Sequence, residues 1–228
     1  MMKFILKKPG LHWGFCCEVK ELMLEKGADR VQERNSLKRE VLQIAKKAYE
    51  EKLMAGTSGN MSIYDSESGH MMITPSSYDY SIMEEEDIVV IDLDGNLVEG
   101  IHKPSSEWRM HAEIYRQLPE VRAIVHTHSP YATSFAVNHQ EIPEVLIEMS
   151  IFLKGSIEVS PYAKQGSREV GLNAVPILRK KNACLMANHG VVAVGADIRQ
   201  AYINSVYVED TAKIYHMALS VGTPVKIQ

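Results

Sequence analysis

Apolar and polar positions alternate along the chain with periods that predict short strands and amphipathic helices. After Asn35 and Ser36, which are good N-cap residues, apolar side chains recur at helical spacing, and Gly56 suits the end of this helix. Three β-rich runs follow, "NMSIY", "HMMIT" and "DIVVIDLDGNLVEG". The last run predicts a hairpin, because residues 94–96 offer a tight turn between two apolar strands.

Predicted helices and strands alternate in the second half of the chain. A helix is predicted in "PSSEWRMHAEIYRQLPE", with Ser105 or Ser106 at its N-cap, and a strand in "VRAIVHTH". A helix over residues 129–138, a strand in "IEVSPYA", a helix in "SREVGLNAVPILRKK", strands in "ACLMAN" and "GVVAVG", and a helix over about 197–220 complete the pattern. The pattern predicts an α/β domain with helices packed on a central sheet, but it does not determine the strand order.

Length and composition favour one domain with small-molecule or protein partners. The chain has 228 residues, 45% of them hydrophobic, which is enough for a single large core. We assign residues 35–228 to this domain and residues 1–34, where helical periodicity is weak, to an N-terminal appendage of unknown role. The 25 Lys and Arg against 29 Asp and Glu give a net charge of -4 without a basic block, so we expect no nucleic-acid partner.

The lengths of the apolar runs and the number of cysteines indicate in which cellular compartment the protein is expected. The apolar run at the start is too short for a signal peptide, and no later stretch approaches the roughly 18 apolar residues of a membrane span. We therefore expect no membrane attachment. Three cysteines, two of them adjacent, cannot form a disulfide framework and favour a reducing compartment, so we predict a cytoplasmic protein.

Three histidines at strand ends form a candidate metal site. In "VHTHSP", His126 and His128 are two positions apart and therefore point to the same side of a strand. Alone, such a pair is as compatible with surface histidines as with metal ligands. In "MANHGVV", His189 ends another apolar strand directly before Gly190, where the chain can turn sharply. Three imidazoles are a ligand set that catalytic Zn²⁺ uses, with coordination positions left open to substrate.

Short hydrogen-bond donors cluster at three places and are candidates for a phosphate site. Exposed backbone amides in turns and at helix N-termini bind anions, although the first cluster is equally compatible with a simple helix stop. The chain has no Walker-type lysine motif, which favours a monophosphate ligand over a nucleotide. The clusters are Gly56, Thr57, Ser58, Gly59 and Asn60 in "AGTSGNMS"; Thr74, Ser76 and Ser77 in "ITPSSY"; and Ser105 and Ser106 in "KPSSE".

Glu107 is a candidate general base with a simple structural alternative. An acidic side chain in the first turn of a helix is favourable for the helix dipole, whatever its function. A catalytic role requires that the helix start face the metal. His111 lies four residues later on the same predicted helix face, and we assign it a structural role.

The motifs "GTSGN", "TPSS", "PSSEWRMH", "VHTHSP" and "NHG", in this order, resemble those of the class II aldolase and adducin head family. The resemblance covers roughly residues 33–219. It implies a three-layer α/β/α fold with a mainly antiparallel central sheet, and a homotetramer with active sites between subunits. It also implies Zn²⁺ bound by His126, His128 and His189, and phosphate contacts at Gly59, Asn60, Ser76, Ser77, Ser105 and Ser106.

The resemblance further implies a reaction on a small phosphorylated sugar. It is closest to members that cleave L-fuculose 1-phosphate to dihydroxyacetone phosphate and L-lactaldehyde. Glu107 would be the catalytic carboxylate and take a proton from the hydroxymethyl carbon of dihydroxyacetone phosphate, while the metal would polarise the adjacent carbonyl. Alternatives within the fold are a sugar-phosphate 4-epimerase or a dehydratase, and a non-catalytic adducin-head-like binding module. Epimerases of the family resemble "PSSDT" where this chain has "PSSEW", which favours the aldolase.

The chain departs from the family pattern at the proton donor. A tyrosine of the neighbouring subunit serves this role in the family, and Ile147 of "IPEVLIEMS" occupies its position here. A second tyrosine in the family's C-terminal tail has no counterpart. Tyr162 is the nearest remaining candidate, although we expect it to pack in the core.

Overall fold

A computed structural model describes the backbone of residues 13–227 and the side chains of residues 30–227. Within this part of the chain, no helix is both long and apolar enough to cross a bilayer. In chain order the helices and strands are α1 Trp13–Glu50, β1 Asn60–Asp65, β2 His70–Ile73, β3 Val89–Asp92, β4 Leu97–Glu99, α2 Trp108–Gln117, β5 Ala123–Thr127, α3 Pro130–Val137, β6 Val159–Ser160, α4 Arg168–Leu178, β7 Ala183–Met186, β8 Gly190–Gly195 and α5 Ile198–Val221.

The eight strands form one sheet in the order β4-β3-β2-β1-β5-β8-β7-β6. Every neighbouring pair is antiparallel except β6 and β7, which confirms the mainly antiparallel sheet. The predicted hairpin of β3 and β4 is also confirmed. β5 lies at the centre between β1 and β8, so the strand that carries His126 and ends directly before His128 is hydrogen-bonded on both sides.

Helices cover both faces of the sheet. Neighbouring residues of a strand point to opposite faces, so Ile124 packs with α2 and α4 whereas Ala123 and Val125 pack with α1 and the start of α5. All three side chains are fully buried. Full burial of a valine or isoleucine side chain, such as Val125 or Ile124, contributes about 1.5–3 kcal/mol to stability. The three-layer α/β/α architecture implied by the family resemblance is thus confirmed.

The first helix begins far earlier than predicted. Asn35 and Ser36 lie inside α1, which begins at Trp13 and ends at Glu50, before Gly56. Helix formers such as "RVQER" continue the helix through the two cap-type residues, because a cap residue matters only where the chain leaves the helix. The chain divides into two units between Ser36 and Leu37. A separate role for residues 1–34 stays a prediction, and residues 1–12 lie outside the described part.

Two other predicted elements differ in length. α2 begins at Trp108 with Glu107 as its N-cap, later than the predicted Ser105 or Ser106. Ser106 and Glu107 form a turn before the helix, in which the Trp108 amide donates to the Ser105 carbonyl oxygen, and Pro104 pairs with Pro75 in an isolated β-bridge. The "IEVSPYA" strand is reduced to the two residues of β6, which pair with β7 alone at the edge of the sheet.

Candidate active site

Sheet register brings the three candidate histidines together. Thr127 of β5 pairs with Val191 of β8, so the turn before β8 lies beside the end of β5 and places His189 next to His126 and His128. The centroids of the three imidazole rings are 4.8, 4.8 and 5.1 Å apart. The Nε2 atoms of His126 and His128 are 3.0 Å apart. Strand ends that are distant in sequence thus aim three rings at one point.

Glu107 joins this cluster from the N-terminus of α2. Its side chain is buried, and Oε2 lies 2.9 Å from Nε2 of His126. The ligand atoms of Glu107 and of the three histidines all lie within 4.8 Å of one another, in a group that could hold a metal ion. The condition set for a catalytic role of Glu107, a helix start that faces the histidines, is therefore met by the geometry.

The chemistry of these side chains fits a divalent cation. Nδ1 of His126 lies 2.7 Å from the Val191 carbonyl oxygen, which only accepts, so Nδ1 carries the proton and Nε2 presents its lone pair. Oε1 of Glu107 and Nε2 of His189 are 3.1 Å apart but are not aligned as a hydrogen bond. Both atoms are buried without a hydrogen-bond partner, which is costly unless another group, such as a cation, satisfies them.

The protonation states also suit metal binding. Burial alone would raise the pKa of the Glu107 carboxyl, but the His126 and His189 imidazoles outweigh burial and hold this pKa below its ordinary value. Burial lowers the pKa of His128 to about 4. Near pH 7 the carboxyl is therefore ionised and His128 is neutral, the forms in which both can bind a cation.

A cavity of about 320 Å³ opens beside Glu107 and His128. Backbone and short polar side chains form most of its wall, and none of the described residues that line it is Lys or Arg. An anion in this cavity would therefore be bound by neutral donors. All six predicted phosphate contacts line it: Gly59, Asn60, Ser76, Ser77, Ser105 and Ser106.

The model of the class II aldolase and adducin N-terminal domain matches residues 39–216. The chain belongs to this family. It is an aldehyde-lyase enzyme of the metal-dependent class II aldolases. The match covers all the side chains of the cluster and of the cavity described above.

Two curated relatives and one solved structure show how close this class II aldolase is to known members. It is 36% identical to "5-deoxy-D-ribulose 1-phosphate aldolase" of Bacillus thuringiensis serovar kurstaki over 81% of this chain and 86% of that protein. It is 36% identical to "L-fuculose phosphate aldolase" of Methanococcus maripaludis over 74% and 90% of the two chains. A solved L-fuculose 1-phosphate aldolase superposes with a TM-score of 0.81 at 38% identity, over 85% and 91% of the two chains.

One residue of the site was not predicted from the sequence, a predicted one makes further contacts, and the candidate proton donor was placed wrongly. Gln165 lines the cavity although no sequence pattern singled it out. Asn60 borders the cavity, but its side-chain amide is hydrogen-bonded at both ends, to Glu107 and to His111. Tyr162, expected in the core, is 65% exposed, because it lies in the loop after β6 and outside the sheet.

Substitution of Gly190 by alanine is expected to disturb the histidine cluster in this class II aldolase. A Cβ at Gly190 would overlap the Thr127 carbonyl oxygen and lie 3.1 Å from the ring of His128 and 3.4 Å from the ring of His126. We expect the free energy of unfolding to fall by about 1–3 kcal/mol and zinc affinity to fall, measured by denaturant titration and zinc titration. Gly222→Ala, which meets open space, is the control. Unchanged zinc affinity in Gly190→Ala would contradict the packing described here.

Proposed function

We propose that this protein is a zinc-dependent aldolase that cleaves a ketose 1-phosphate to dihydroxyacetone phosphate and an aldehyde. One observation carries the proposal: three imidazoles and the Glu107 carboxylate converge beside a cavity lined with anion-binding groups. Three imidazole nitrogens suit zinc better than Mg²⁺ or Ca²⁺, which prefer oxygen ligands throughout. The complete ligand set argues against a non-catalytic binding module.

The residues of the site have separate roles in substrate binding, metal binding and proton transfer. The hydroxyls and backbone amides of the cavity bind the phosphate and so hold the sugar chain beside the histidines. His126, His128 and His189 would hold zinc, which when bound supplies Lewis-acid polarisation of the ketone. As the C3–C4 bond breaks, the C4 hydroxyl gives its proton to solvent, the electron pair of the bond passes to C3 and the ketone group, and the aldehyde is released. Glu107, after taking up a proton from solvent, delivers it to C3, which becomes the hydroxymethyl carbon of dihydroxyacetone phosphate.

Two substrates have support, and both give dihydroxyacetone phosphate. L-fuculose 1-phosphate is favoured by the named activity of the archaeal relative and of the solved structure. 5-Deoxy-D-ribulose 1-phosphate is favoured by the named activity of the bacterial relative. Cleavage of this substrate would release a two-carbon aldehyde. This aldehyde is smaller than L-lactaldehyde and needs fewer contacts in the part of the site that binds the aldehyde. Ile147 is 59% exposed where the family resemblance expects a tyrosine, which is compatible with the simpler aldehyde.

Product analysis tests the proposed function. Purified protein with zinc is incubated with L-fuculose 1-phosphate, with 5-deoxy-D-ribulose 1-phosphate and with L-ribulose 5-phosphate. We expect dihydroxyacetone phosphate from at least one 1-phosphate, detected by coupled reduction to glycerol 3-phosphate, and no conversion of the 5-phosphate. Epimerisation of L-ribulose 5-phosphate without cleavage of either 1-phosphate would contradict the proposal.

A further inference from the structure

A buried chain of hydrogen bonds leads from Glu107 into the protein, away from the cavity. Nδ2 of Asn60 donates to Oε2 of Glu107 at 3.0 Å, and Oδ1 of Asn60 lies 2.5 Å from Nε2 of His111. Nδ1 of His111 lies 2.7 Å from Oγ of Ser62, which lies 2.7 Å from the hydroxyl of Tyr115. None of these five side chains is more than 3% exposed, so the chain is shielded from solvent.

Two periodicities in the sequence build this chain. Glu107, His111 and Tyr115 are spaced four residues apart, which places them along one face of α2 and its N-terminus. Asn60 and Ser62 are two residues apart and point to the same face of β1. These three residues of α2 and its N-terminus lie against the two residues of β1. Along the hydrogen-bonded chain, side chains from the helix and from the strand alternate.

The directions of the hydrogen bonds follow from the carboxylate. Ionised Glu107 only accepts, so Asn60 must present its NH₂ group to Glu107 and its oxygen to His111. That oxygen also only accepts, so Nε2 of His111 carries the proton and Nδ1 accepts from Ser62. The Ser62 hydroxyl has then used its proton, so Tyr115 is the donor in their 2.7 Å contact, and the same Tyr115 proton also faces the Ser62 carbonyl oxygen at 3.0 Å. The donors of Ser62, His111 and Asn60 thus all point toward Glu107.

We propose that His111 is a positioning residue: its Nε2–H group fixes the orientation of the Asn60 amide, which in turn holds the Glu107 carboxylate toward the cavity. The inference rests on the proposed function for the role of Glu107 as a base, and it goes beyond the structural role expected for His111. Without the His111 donor, the buried Asn60 oxygen lacks a partner, and the amide gains by rotating away from Glu107. Such supporting partners typically change activity by about 10- to 100-fold.

A pair of substitutions separates positioning from packing. His111→Gln keeps a side-chain NH₂ donor that reaches the place of Nε2, whereas His111→Phe keeps the ring shape but no donor. We expect His111→Phe to lower kcat by about 10- to 100-fold with little change in KM and zinc content, and His111→Gln to recover most of this loss. If His111 only filled space, the phenylalanine variant would be the more active of the two, and that order overturns the proposal.

A control and a spectroscopic readout complete the test. Asn204, equally buried, donates to the Val194 carbonyl at the far end of β8, so Asn204→Ala should lower stability and leave kcat unchanged. Nitrogen NMR of histidine-labelled wild-type protein should show His111 neutral and protonated at Nε2. Protonation at Nδ1 would overturn the proposal even if the variants failed to fold. Absence of cleavage by the wild type would instead refute the proposed function, so the two failures are distinguishable.

Discussion

Glu107→Gln is expected to lower kcat for cleavage by about 10²- to 10⁴-fold, the usual contribution of a general acid or base. The amide is almost isosteric with the carboxylate but cannot take up a proton, whereas the three histidines remain to hold zinc. Zinc content should therefore be unchanged. Incubation of dihydroxyacetone phosphate with the variant in heavy water should show no deuterium at the hydroxymethyl carbon, while the wild type exchanges this proton.

Glu113→Gln is the matched control for this experiment. Glu113 is an equally buried glutamate on the same helix, but it pairs with Arg116 and Arg168 and does not line the cavity. We expect its replacement to weaken folding stability and to leave deuterium exchange intact. If Glu107→Gln exchanged the proton at the hydroxymethyl carbon for deuterium at the wild-type rate, Glu107 would not be the residue that transfers this proton.

His126→Ala is expected to remove most of the bound zinc and nearly all activity. His126 is the buried centre of the cluster, and its Nδ1–H group is fixed by the Val191 carbonyl. Loss of a direct ligand should exceed the roughly 10- to 100-fold loss of affinity typical of an outer partner. Competition with a zinc chelator measures this affinity, and a coupled assay for dihydroxyacetone phosphate measures the activity.

His102→Ala supplies the comparison for the zinc measurement. His102 is a partly exposed histidine that contacts Asp87 at 2.8 Å and lies outside the cluster. Its replacement should leave zinc stoichiometry and affinity at wild-type values. Equal zinc retention in His126→Ala and His102→Ala would show that the zinc binds elsewhere.

Local patterns were sufficient to predict much of the fold and the members of the histidine cluster. The strand that contains His126 and ends directly before His128 is marked by an apolar run, and His189 by its position before a glycine at a strand start. The cap at Asn35 and Ser36 was predicted wrongly, because the same residue types also occur inside helices when their neighbours favour helix.

Long-range register explains what the sequence could not provide. The order of the eight strands decides that Asn60 lies opposite His126 and that the two β-ends with histidines meet. The hydrogen bond between Asn60 and His111 joins residues 51 positions apart, and neither residue signals the other locally. The contact of His111 with Asn60 and the exposure of Tyr162 both depend on the three-dimensional fold, so local sequence patterns did not indicate either.

The central claim is that His126, His128 and His189 share one divalent cation beside Glu107. Anomalous diffraction at the zinc absorption edge, from crystals of the zinc-loaded protein, tests it most directly. We predict one strong peak per chain, in contact with all three imidazoles. A peak at any other group of side chains, or no ordered zinc among these rings, would contradict the account.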